Sequence, residues 1–129
     1  MRTRLLSCFL LSLCLSGPAA ADLFLVTTSE GPGFTAPEEV VEVLGKGILP
    51  TFDMLMELQA KKKIVAGGLP VGSRTLYLII EADSNDEVDR MLRDLPAWGV
   101  FSWEVTPLQS LGGRAEMERE ILKSLKSKN

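Results

Sequence analysis

Proton-transfer chemistry in this chain falls to carboxylates, a phenol and amines. The sequence contains no histidine, and its two cysteines, Cys8 and Cys14, lie near the N-terminus. Ser-His-Asp and Cys-His nucleophilic systems are therefore excluded, together with most zinc and haem sites. Four other residues are candidates. Glu81 and Tyr77 share one face of a strand-like run, and a carboxylate held in an apolar cavity has its pKa raised enough to act as a base near neutrality. Glu104 falls on the same sheet face once the strands are paired. Arg74 stands at the mouth of a hairpin, where its planar guanidinium can hold an anionic group bidentately. Glu81 and Tyr77 are thus the candidate catalytic residues, and Arg74 and Glu104 the candidate substrate-binding residues. No metal or cofactor is expected. Each residue also has a plain structural explanation: Glu81 as an exposed strand end, Tyr77 as a packing aromatic, Arg74 as an ion-pair partner.

The elements that position these groups centre on Lys62 to Ser84. Ile64-Val65-Ala66 reads as a short strand, and Gly67-Gly68 lets the backbone bend or another segment approach. Leu69-Pro70-Val71-Gly72 suits a type I turn. Arg74 to Ala82, β-branched and aromatic without Pro or Gly, is the strongest strand signal. Upstream, Asp22 to Thr28 is almost wholly apolar and predicts a central strand covered on both faces. Ser29 to Phe34 is a loop punctuated by Gly-Pro-Gly, either a flap over a pocket or a connector. Thr35 is the expected N-cap of a helix whose apolar stripe is Val41, Leu44, Ile48, Phe52 and Leu55. Gly45, Gly47 and Pro50 predict a kink or short break near 45–50. The helix should end at Lys61-Lys62-Lys63, where cations suit the negative end of the helix dipole.

Downstream, Ser84-Asn85-Asp86-Glu87 is a capping box opening a helix with Val88, Met91, Leu92 and Leu95 on one face, and Pro96 stops it. Val100 to Thr106 reads as a last strand ended by Pro107. Arg114 to Lys126 reads as a helix with Met117, Ile121, Leu122 and Leu125 on one side, able to dock on its own domain or on a neighbour. Right-handed crossovers turn this βαββαβ order into an α+β, ferredoxin-like sandwich with two helices on one face of an antiparallel sheet. The second face, carrying Tyr77, Ile79 and Glu81, is mixed but apolar enough to want a partner.

Residues 1–21 are set apart from this domain. Arg2 and Arg4 precede an apolar stretch from Leu5 to Leu15, Gly17-Pro18 breaks it, and Ala19-Ala20-Ala21 supplies small residues for cleavage. This is the layout of a secretory signal peptide, too short to span a membrane. The expected organisation is signal peptide 1–21, folded domain 22–110 and helical tail 111–129, with the product periplasmic or secreted. Both cysteines leave with the signal, so no disulfide remains. Losing Arg2 and Arg4 makes the chain more acidic than its formal −3. A mildly acidic domain without a basic cluster suits neither nucleic acid nor anionic lipid, and no stable membrane insertion is expected.

Lys62 to Ser84, with its Ala-Gly-Gly-x-Pro-x-Gly-x-Arg core, resembles the muconolactone isomerase-like branch of the dimeric α+β-barrel proteins, and so does Trp98 to Ser110. The resemblance covers most of residues 22–114. It implies that two ferredoxin-like units face their sheets together into a dimeric α+β barrel, as a homodimer or a larger ring, around a cavity for a small organic ligand. Muconolactone isomerases move a proton within an unsaturated lactone, which needs a base for the C–H proton and a donor beside the carbonyl. Two functions stay open: an exported binding module for a small organic molecule, or an isomerase or lyase with a carboxylate base.

Overall fold

The computed structural model describes residues 21–31, 33–34 and 36–128. The expected signal peptide, except for Ala21, and the expected Thr35 cap lie outside the described residues. Strand β1 (Asp22–Thr28) leads into a continuous helical run: α1 (Pro37–Val43), a π-turn (Leu44–Ile48) and α2 (Leu49–Ala60). Strands β2 (Ile64–Gly68) and β3 (Tyr77–Ala82) form the hairpin, and α3 (Asn85–Arg93) follows. A short 3₁₀ turn at Trp98–Val100, strand β4 (Trp103–Leu108) and α4 (Leu111–Lys126) complete the chain.

All strand pairs are antiparallel, in the order β2-β3-β1-β4. Alternation along each strand sorts the two faces. Phe24 and Val26 of β1 and Leu78, Ile80 and Ala82 of β3 are buried with Leu55 of α2 and Val88 and Leu92 of α3, forming the core. Leu23, Leu25 and Thr27, with Tyr77, Ile79, Glu81, Glu104, Thr106 and Leu108, make up the second face, and none of them is buried. The expectation that β1 is covered on both faces is therefore corrected: only its Phe24–Val26–Thr28 side is.

The expected dimeric α+β barrel is corrected as well. The sheet is open: β2 and β4 are its edges and do not pair with each other. The barrel is what the family resemblance implies, and the apolar lean of the second face suits a partner, but an open antiparallel sheet with one half-wet face satisfies the same alternation.

Local chemistry explains the main departures in the connections. Pro50 has no N–H for the carbonyl four residues back. Rather than breaking, the helix widens: the Leu49 N–H donates to the Leu44 carbonyl, five residues earlier. The α2 terminus is a Schellman motif, with Lys62 N–H on the Gln59 carbonyl and Lys63 N–H on that of Leu58. Lys62 occupies the left-handed position, φ 60°. The hairpin turn is shifted by one residue from the expected one. Ser73 N–H bonds to the Pro70 carbonyl at 3.0 Å, placing Gly72 (φ 80°) third, where a type II turn requires positive φ. Pro107 does not end the last strand but lies within β4, which tolerates it as an edge strand.

Candidate functional site

The run α1–π–α2 does not close fully on the sheet. At the end of the sheet where β1 finishes and β4 begins, it leaves a cavity of about 200 Å³. The sheet contributes Thr28 and Trp103, and the hairpin contributes Leu69, Ser73, Arg74 and Leu76. The helical wall is Leu44 and Ile48 of the π-turn with Thr51, Phe52 and Leu55 of α2. Gly31, Phe34, Val100 and Phe101 close the rim. The π-turn matters here because Leu44 and Ile48 both belong to it.

The hydroxyls in this wall each accept a backbone N–H. Thr28 Oγ1 accepts the Leu76 N–H, and Thr51 Oγ1 accepts the Ala97 N–H, each at 2.9 Å. Ser73 Oγ accepts the Thr75 N–H at 3.0 Å and meets the Thr75 hydroxyl. Trp103 is oriented by its indole N–H, which donates to the Trp98 carbonyl at 2.8 Å, and by the edge of Phe101. What the cavity offers a ligand is thus almost wholly apolar.

Arg74 is the one ionisable residue in the lining among the described residues. Its Nη2 lies 3.9 Å from Glu30 Oε2, with both side chains about half exposed (50% and 56%). Such a pair is weak and screened by solvent.

The structure separates the other sequence candidates from this cavity. Tyr77 and Glu104 occupy one row of the second face, on either side of Thr27. Glu81 lies two rows away, beside Leu23, about 13 Å along β3 at ~3.3 Å per residue. All three are exposed. Arg74 alone joins the cavity, so the four candidates do not form one constellation. Gly31 and Phe34 come from the Ser29–Phe34 loop, read in sequence as a flap or a connector, whereas Leu44, Ile48 and Phe101 carry no sequence mark of a binding wall. The available signal was the 44–48–52–55 stripe interrupted by Gly45, Gly47 and Pro50, an apolar face on a helix unable to stay regular.

A polar cluster lies elsewhere. Lys63 Nζ donates to Glu87 Oε1 and the Asp83 N–H donates to Glu87 Oε2, each at 2.7 Å. The Lys63 hydrogen bond, then that from Asp83, hold the Glu87 carboxyl below its ordinary value. This cluster fastens the start of β2 to the start of α3 and touches no cavity residue. Among the described residues no group of three potential metal ligands converges, and no helix is long and apolar enough to cross a membrane.

Residues 23–112 match the family model described as muconolactone delta-isomerase. The search of curated proteins finds no match.

Proposed function

The chain belongs to the muconolactone delta-isomerase family, and from that premise we propose that it binds a small apolar organic molecule in the cavity without moving a proton there. The observation that supports this is the lining itself: among the described residues its only ionisable group is an arginine, a side chain with no acceptor site and so unable to serve as a base. The reaction for which the family is named needs a group that takes a C–H proton. Glu81, Tyr77 and Glu104 face away from the cavity and take no part in binding. Calorimetric titration with a neutral aromatic probe, 1-naphthol, should give saturable binding that Ile48→Trp abolishes by filling the space. Glu81→Gln should leave it unchanged. Turnover of muconolactone above the buffer rate, or binding lost in Glu81→Gln, would overturn the proposal.

Two further parts of the proposal rest on sequence. Export to the periplasm or medium follows from the layout of residues 1–21, leaving the domain at 22–110 and the helical tail at 111–129. N-terminal sequencing should begin at Asp22, and an uncleaved cytoplasmic chain would refute it. Self-association of two copies through the second sheet face follows from half-buried Leu23, Leu25 and Ile79 beside exposed Tyr77 and Leu108. Sedimentation should show a dimer that Ile79→Asp disrupts.

A further inference from the structure

A second cavity, about 140 Å³, lies between α2 and the β2 edge, reaching Met56, Ile64, Gly67 and Gly68. It shares Phe52, Leu55, Leu69 and Leu76 with the first. The two cavities adjoin across these four side chains, the first reaching Arg74 and Phe101 and the second the Gly67–Gly68 edge. At ~30 Å³ per chain carbon, the volume share of a water, the first holds about seven carbons and both together about eleven.

The geometry points to an unbranched aliphatic monocarboxylate of about eight to twelve carbons as the ligand, its carboxylate on Arg74 and its chain passing between Phe52 and Leu69. This rests on the apolar-binding reading above and deepens it. Three observations select that class. The space is divided between two adjoining cavities, so a compact ring would leave one of them empty. Most of the lining side chains are apolar, so a polar ligand body would lose most of its hydrogen bonds to water without replacement. Among the described residues the one ionisable group of the lining is the cation Arg74, complementary to one anionic head and not to two. Glu30, 3.9 Å from Arg74, is a carboxylate with which the ligand head competes.

Calorimetric titration of the purified protein tests this with hexanoate, octanoate, decanoate and dodecanoate below their micelle concentrations. The comparison compounds are 1-decanol and 1-adamantanecarboxylate. Affinity should rise about fourfold per added methylene, then level off when both cavities are full. Arg74→Gln should weaken decanoate by about tenfold or more, leave decanol within twofold, and keep the melting temperature. Glu30→Gln should strengthen decanoate by removing its competitor. Decanol binding as tightly as decanoate, or adamantanecarboxylate binding more tightly, would overturn the inference while the apolar-binding reading stood. Failure of all six compounds and of 1-naphthol would overturn both.

Discussion

The two helical crossovers of this sandwich do the same topological work with opposite economies. Helix α3 has nine residues, and every local signal agrees. Ser84 Oγ accepts the Glu87 N–H, acids occupy the first turn, arginines the last, and Val88 and Leu92 are buried on the sheet. The run from Pro37 to Ala60 is far longer but buries only Thr51 and Leu55. Its N-cap, Ala36, makes no side-chain bond, α1 buries nothing, and a π-turn interrupts it. A helix that packs like α3 leaves no room for a ligand. One that departs from regular geometry over two glycines and a proline stands off the sheet and encloses space. The cavity here comes from incomplete packing.

The sharpest way to break the comparison is to truncate a buried residue on the tight side. Leu92→Ala removes a fully packed side chain and should cost about 2–5 kcal/mol, read as a lower urea midpoint, with ligand affinity of the folded fraction unchanged. On the loose side, Ile48→Ala enlarges an existing space and should cost less than half as much in the same titration. If the two losses are equal, the contrast between the crossovers is false.

Capping gives a smaller effect of opposite sign on the two sides. Ser84→Ala should destabilise by about 1 kcal/mol, whereas Ala36→Ser, at an extended N-cap lacking a side-chain bond, should stabilise by about 0.5–1 kcal/mol. Thermal melts of both variants measure this.

The smallest effect is electrostatic. Glu87 has its folded pKa lowered from 4.5, chiefly by the Lys63 hydrogen bond. Its contribution to stability is therefore complete above pH 4.5 and is lost as pH falls through the lower folded value. Lys63 is raised from 10.5, chiefly by the Glu87 hydrogen bond, so its contribution is complete below pH 10.5 and is lost as pH rises through the higher folded value. Glu87→Gln should flatten both limbs of the stability profile. A variant whose acid limb matches the parent would show the pair to be inert.

The contrast also explains what could be read in advance. Strand β1 was legible to its ends because its apolar run starts after the small Ala19-Ala20-Ala21 and stops at the Gly-Pro-Gly loop, and α3 because cap, charge and periodicity coincide. The irregularity near 45–50 was legible from Gly45, Gly47 and Pro50, though not its form, since a π-turn and a break remove the same hydrogen bond. The cavity was not legible. Leu44, Ile48 and Phe52 carry the pattern of a packing stripe, and whether such a stripe touches the sheet depends on the whole helix's height above it. Elimination points to Glu81 because it weighs titratable groups. The space lies under apolar ones, and among the described residues only Arg74 belongs to both sets.

The open edges of the sheet bear on how the protein behaves in a crowd. An unpaired strand is a template for strand addition by another chain. Here β4 carries Pro107, which removes one donor from that row, and β2 is irregular between Ile64 and Ala66. A Cβ at Gly67 would meet the Tyr77 carbonyl oxygen at 2.5 Å, so a side chain there would push β2 away from β3. Each border thus carries a feature that interrupts the regular ladder another chain's strand would extend.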